Sequence, residues 1–285
     1  MVRIIGFFVG LGFCLVLAIA FFTGAYNHIT NPPAETAEKE FHLHPKPLAL
    51  ESNGPFGKYD RAQLQRGFQV FKEVCSACHS LKYVAFRDLR DLGYSEAEVK
   101  AIADQWVIQQ PSVNPDTGEP STRKSLPADR FPAPFANEVA ARAANNNAVP
   151  PDLSLMAKAR ENGPAYIHSL LTGYRDQPAE LLKKFPATKT PEGLHYNPYF
   201  PNLNLAMPPP LVSDGQVTYA DGTKATVDQM STDVSAFLAW TAEPKLERRH
   251  AIGVAAFVFL LVFSVLTYMA YQNIWASKKR ELANA

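Results

Sequence analysis

The sequence predicts a mainly α-helical, water-soluble domain with long loops and one small β-hairpin, carried on a C-terminal transmembrane helix. Three observations predict it. Ala251 to Tyr271 is a run of 21 residues without a charge, about 31 Å long as a helix and so matched to the apolar thickness of a bilayer. Helix-start signals stand ahead of amphipathic stretches throughout residues 51–244. Many of the 23 prolines fall between those stretches and interrupt them with loops.

Taken in chain order, Ile4 to Phe22 is a second uncharged run, of 19 residues after Arg3. It reads either as a signal peptide, with the small residues Thr23-Gly24-Ala25 at a cleavage point, or as a retained anchor. Residues 1–25 are assigned to this segment and 26–50 to a linker. Within the domain, Asp60 stands where an N-cap belongs, with Gln63 three residues on as in a capping box, and Leu64, Phe68 and Phe71 fall on one face of the helix that follows. Ser95 and Glu98 form another capping box ahead of a helix over Val99 to Trp106. Gln110 to Pro134 is expected to be loop with little regular structure. Asp152 is placed to cap a helix over Leu153 to Arg160, and Pro164 to Thr172 reads as a helix closed by Gly173. The hairpin is expected between Val217 and Val227, around the turn signal Asp221-Gly222. Met230 starts an amphipathic helix running to Trp240. Beyond the anchor, 272–285 forms a tail with Lys278-Lys279-Arg280 at the interface.

The charge balance excludes several functions. A formal net charge of +1, with no basic stripe, argues against a nucleic-acid partner. From Glu51 to Glu243 there are 19 Lys and Arg against 22 Asp and Glu, a net of −3, so the domain is mildly acidic between basic membrane flanks. Such a face suits a basic protein partner, and it equally serves ordinary solubility. Three cysteines do not make a disulfide scaffold, because Cys14 lies in an apolar run and the other two are three residues apart.

The chemistry lies in Cys75-Ser76-Ala77-Cys78-His79. Two thiols at this spacing can each add to one vinyl group of a haem, and a histidine directly after the second is then held beneath the iron. The rivals are a redox dithiol and half of a zinc site. Zinc needs a second pair of ligands, and only His42 and His44 stand close together. A thioredoxin-type dithiol opens a helix after a strand, whereas an amphipathic helix precedes Cys75. One covalent haem c is therefore expected, with His79 as axial ligand, in an enlarged c-type cytochrome domain. Of the five methionines, Met207 is the expected sixth ligand. Met1 is terminal, Met269 lies in the anchor, and Met156 and Met230 fall on helices, while Asn202 to Pro210 is an irregular, proline-stiffened segment able to hold a thioether at the iron. No general base or nucleophile stands out, so the chain is read as an electron carrier. A peroxidase-like haem enzyme and a non-haem, membrane-tethered thiol protein remain as rivals.

Several motifs stand in order along the chain: Cys75-Ser-Ala-Cys-His79, Ala143-Ala-Asn-Asn-Asn-Ala-Val-Pro-Pro-Asp-Leu-Ser154, Ser169-Leu-Leu-Thr-Gly-Tyr174, Tyr196-Asn-Pro-Tyr-Phe-Pro201, Ala206-Met-Pro-Pro209 and Trp240-Thr-Ala-Glu-Pro244. From Gly54 to the C-terminal anchor the sequence resembles the cytochrome c1 family, in its mitochondrial and alphaproteobacterial form. The resemblance implies Met207 as sixth ligand, Arg160 near a haem propionate, and Asn145, Pro150, Pro151, Tyr166 and Leu170 lining the pocket. It implies a subunit of the quinol:cytochrome c oxidoreductase, in a dimeric complex with cytochrome b and the Rieske iron–sulfur protein, taking electrons from the latter and passing them to cytochrome c. Haem is attached to such cysteines on the outer side of the membrane, so the domain is expected in the periplasm, or equivalently the intermembrane space, with the tail inside. One departure is plain. Some bacterial relatives brace the loop before the methionine with an extra cysteine pair, and this chain has no cysteine after Cys78.

Overall fold

The structure is a computed structural model that describes residues 2–32 and 34–284; Met1, Pro33 and Ala285, and with Met1 one of the methionines weighed above, lie outside the described residues. The chain divides into two compact units. The first contains the N-terminal stretch up to His42 together with Pro178–Lys189. In it, helix α1 (Val2–Thr30) carries the uncharged run without a break at Thr23-Gly24-Ala25, and the Thr23 hydroxyl donates back to the Ile19 carbonyl. Short helix α2 (Ala37–Phe41) is N-capped by Thr36. The Phe41 and Phe185 rings meet edge to face, and Lys184, in the last turn of α8 (Ala179–Lys184), pairs with Glu35 and Glu40.

The second unit holds the remaining elements, in the order α3 (Arg61–Val70), α4 (Glu96–Asp104), β1 (Gln110–Val113), β2 (Pro120–Arg123), α5 (Glu138–Ala144), α6 (Met156–Ala159), α7 (Gly163–Thr172), β3 (His195–Tyr196), β4 (Asn204–Leu205), α9 (Val227–Ala242) and α10 (Leu246–Ala283). Its core forms where α3 crosses α9. Leu64, Phe68 and Phe71 are buried there against Val234, Phe237 and Trp240, with Phe86, Trp106 and Phe131 closing the aromatic cluster. The crossing is close because Gly67 has no side chain: a Cβ there would lie 2.0 Å from the Asp233 carbonyl oxygen. Asp233 itself is buried and takes hydrogen bonds from Arg66, Gln63 and Gln229.

The caps are partly as expected. Ser95 and Glu98 form their reciprocal box, and the helix starts at once, at Glu96, ending at Asp104 rather than Trp106. Asp60 caps α3 through Ala62 N–H, but Gln63 does not complete a box, since its amide reaches across to Asp233. Asp152 caps no helix over Leu153 to Arg160. Only Met156–Ala159 is helical, and the Asp152 carboxyl instead accepts from Ser80 Oγ, Lys82 N–H and Ser154 N–H. Helix α7 runs as expected to a cap at Gly173.

The hairpin lies elsewhere than expected. Gly222 adopts a φ of +78° and the Asp221-Gly222 turn closes, yet no strands flank it. Val217 and Tyr219 are buried in the core, and Asp221 pairs with Arg66 at 2.8 Å, so the flanks pack instead of pairing. Two antiparallel pairs form instead of one, β3–β4 and the hairpin β1–β2, the latter inside the stretch read as loop. The β1–β2 turn is set by Asn114 Oδ1, which accepts Asp116 N–H, and by Gly118 at φ +75°. Pro111 and Pro120 are tolerated because both strands of a two-stranded ribbon are edges.

Helix α10 is long and apolar enough to cross a membrane. Its first turns are fastened to the domain. Glu247 accepts Tyr59 N–H and pairs with Arg61, the Tyr59 hydroxyl donates to the Glu243 carbonyl, and His250 Nδ1 meets the Gly57 carbonyl. Glu243 sits between Arg249 and Lys158. Burial pushes its carboxyl up, but hydrogen bonds from Arg249 and Lys158 outweigh this and hold it below the usual carboxylate range. A depressed folded-state pKa contributes stability above the unfolded value, and that contribution is lost as pH falls through the folded value. Unfolding midpoints should therefore fall as the pH drops below about 4.5, and Glu243→Gln should flatten part of that fall while lowering stability at neutral pH. Superimposable pH profiles for the two proteins would contradict this assignment.

Candidate covalent cofactor site

Helix α3 does not stop at Val70. It continues into one turn of π-helix over Phe71–Cys75, closed by Ser76 N–H on the Phe71 carbonyl at 2.8 Å. Phe71 is buried in the aromatic core, so this wider turn is anchored from beneath while its far end emerges at the surface. Cys75 is half-buried and Cys78 exposed, both as free thiols, and Cys78 N–H and His79 N–H both close on the Cys75 carbonyl. Burial pushes the Cys75 thiol up to about 12, with Cys78 adding to the effect. Attachment to a vinyl group requires both sulfurs to be unpaired, as they are here.

His79 Nδ1 lies 2.9 Å from the Pro151 carbonyl oxygen. A carbonyl can only accept, so Nδ1 carries the proton and Nε2 keeps its lone pair. Burial lowers the His79 pKa, against the opposing effects of the Pro151 bond and Asp152, which favours the neutral imidazole a metal needs. The Pro150–Ser154 segment is zipped to the residues after the motif. Leu153 N–H bonds the Ser80 carbonyl, Asp152 holds Ser80 and Lys82, and Ser154 Oγ accepts Tyr83 N–H. Cys78, Val149 and Pro150 line one cavity of about 220 Å³ with Phe135 and Ala141.

A second group forms around α7. Tyr166 and Leu170 are one turn apart on one helix face. Arg160 reaches the Tyr166 hydroxyl, whose pKa burial nonetheless raises. The Leu170 carbonyl accepts the Asn197 amide at 2.7 Å, and the hydroxyl of Tyr174, just past α7, donates to the Met207 carbonyl at 3.0 Å. Burial raises the Tyr174 pKa well above its usual range, so the hydroxyl stays a donor. Met207 is half-buried on irregular chain after β4. Met230, by contrast, is fully buried in the core, Met156 packs against it, and Met269 lies on α10. The expected site residues thus fall into two groups, Cys75, Cys78, His79, Pro150 and Pro151 in one and Arg160, Tyr166, Leu170 and the Met207 loop in the other. Asn145 bonds inward, its amide donating to Ala141 at the end of α5. Sequence reasoning missed the pinning role of Asp152, although the Asp-Leu-Ser pattern is an Asx-turn signal, and it missed Tyr174, whose contact with Met207 has no local signature.

The donor set suits a haem. Two thiols on a turn are followed by one oriented, neutral imidazole with a free lone pair, and among the described residues no three His, Cys, Asp or Glu side chains gather to complete a zinc site. A helical domain carrying this set on an apolar helix has the architecture of a membrane-tethered c-type cytochrome. The sequence profile of the Cytochrome C1 family matches residues 50–278, and the chain belongs to that family. It is 47% identical over 235 residues to cytochrome c1 of Rhodospirillum rubrum, covering 79% of this chain and 85% of that one. It is 44% identical over 248 residues to a protein named cytochrome c1 1, heme protein, mitochondrial, from Arabidopsis thaliana, covering 86% and 77%. It is 49% identical over 239 residues to cytochrome b/c1 of Bradyrhizobium diazoefficiens, a match that covers 78% of this chain and 34% of that longer protein.

Proposed function

We propose that the chain is the haem-bearing electron relay of a membrane quinol:cytochrome c oxidoreductase, taking electrons from a Rieske iron–sulfur protein and passing them to a cytochrome c. The observation that carries this reading is the Cys75–His79 turn, with His79 Nδ1 held by the Pro151 carbonyl. When bound, the haem supplies a one-electron couple, and His/Met ligation raises its potential. Cys75 and Cys78 hold it covalently. The Pro151 carbonyl fixes the ring orientation and tautomer of His79, and the Asp152 clamp on Ser80 and Lys82 fixes Pro151. Met207 supplies the sixth donor. Arg160, beside Tyr166, would offset a propionate charge, and Pro150, in the wall of the cavity beside Cys78, would line the pocket with Leu170 and Asn145. The chain itself makes and breaks no substrate bond, since quinol oxidation belongs to the complex with cytochrome b and its dimeric partner.

In this reading residues 51–244 lie in the periplasm, 251–271 span the membrane and 272–285 lie inside, where Lys278, Lys279 and Arg280 satisfy the positive-inside tendency. Residues 1–25 act as a signal peptide or second anchor. The test is covalent attachment. The purified full chain should carry the mass of one haem that survives acid-acetone extraction, and Cys75→Ala with Cys78→Ala should lose it. Haem that leaves with the solvent would refute the proposal.

A further inference from the structure

We propose that Tyr174 and Gln216 are positioning residues that brace the Met207 loop from its two ends; the inference rests on the reading of Met207 as axial ligand. The loop cannot tie itself down. Pro208, Pro209 and Pro210 have no N–H, so three successive positions offer no donor, and no cysteine after Cys78 is available for a cross-link. Upstream, the β3–β4 pairing ends at Leu205 opposite His195. Beside the loop lies an open cleft of about 500 Å³, with Pro209, Tyr174, His195 and Tyr196 in its wall, so packing does not hold that side.

The carbonyls at the two ends of the proline run are both taken by side chains. Tyr174 Oη donates to the Met207 carbonyl at 3.0 Å. Gln216 Nε2 donates to the Pro210 carbonyl at 2.8 Å, while its Oε1 accepts Val212 N–H at 2.9 Å, so one amide clamps the exit of the run. Tyr174 is itself fixed. A Cβ on Gly173 would lie 2.4 Å from the Tyr199 ring, so only glycine lets α7 end this close to it, and Asn197 holds the Leu170 carbonyl of the same turn. The turn that leads back to Met207 has the buried Leu203 at φ +65°, a conformation L residues rarely adopt and one kept here by Leu203 N–H on the Phe200 carbonyl and Asn197 N–H on the Leu203 carbonyl. The geometry is a stiff loop held at both ends and unsupported along one side, in which each end bond resists displacement of the thioether.

Imidazole titration of the ferric full-length haem protein tests this, because imidazole binds only when the loop lets Met207 go. Tyr174→Phe keeps the ring and removes one hydrogen bond, and should tighten the apparent imidazole Kd about fivefold. Gln216→Ala, at an exposed position that the core does not need, should tighten it about twofold to threefold, and the double variant should approach the product. Wild-type affinity in both single variants would overturn the brace. Near-infrared spectra separate the two readings. A wild-type protein with no methionine-to-iron band removes the ligand assignment and the brace with it, whereas a band present throughout with unchanged imidazole affinity leaves Met207 as ligand and removes only the brace. Should Tyr174→Phe fail to fold by circular dichroism, the Gln216→Ala arm decides alone.

Discussion

Met207→Leu is expected to abolish the methionine-to-iron band in the near infrared and to lower the haem midpoint potential by on the order of tenths of a volt, within the ~0.8 V that axial ligands command. Leucine conserves volume and apolar character, so the loop keeps its packing while the sulfur is lost. The thioether stabilises the reduced iron, and its removal takes that preference away. The reduced variant should also bind carbon monoxide readily, which the parent protein should resist; ready binding by the parent would favour a haem enzyme with an open position. Met230→Leu is the control. Met230 is fully buried in the α9 core, so its replacement should leave the band and the potential alone. An unchanged potential in Met207→Leu would remove Met207 from the iron.

The Cys75–His79 turn could be picked out in the sequence because every part of it is local. Two thiols and an imidazole stand within five residues, and the α3, α4 and α7 caps are set by residues within one turn. What reading failed to reach is tertiary. Asp221-Gly222 makes its turn, but whether its flanks pair or pack depends on the core that Val217 and Tyr219 enter and on Arg66, 155 residues away in sequence. Prolines in Gln110 to Pro134 argue against strands only in the middle of a sheet, and β1–β2 has no middle. Asp152 had the composition of a cap, yet it is spent 70 and 72 residues back, on Lys82 and Ser80. The same limit hides the Tyr174 bond to the Met207 carbonyl, which joins residues 33 positions apart.

Gly67→Ala should be the most damaging single methyl in the domain. The added Cβ would meet the Asp233 carbonyl oxygen at 2.0 Å, its carbon at 2.7 Å and Phe237 Cβ at 2.7 Å. Two of these three are backbone, so no rotamer change relieves the clash, and α3 must move away from α9. Movement there opens the aromatic core and draws Arg66 and Gln63 from Asp233, which is completely buried. Overpacking costs about 1–3 kcal/mol, and loosening the partners of a buried carboxyl adds to it. Alanine's better helix propensity returns only about 1 kcal/mol. A net loss of about 3 kcal/mol is expected, or roughly 6–12 °C in Tm for a domain of this size. Gly253→Ala, in α10 with nothing within 4 Å of the added atom, should show no such loss. Because α3 runs unbroken into the turn that presents Cys75, the displaced helix should also carry the thiols out of register, and haem incorporation should fall with Tm. A Gly67→Ala protein as stable as its parent would mean that α3 and α9 do not cross this closely, and would leave the placement of Cys75 without its foundation.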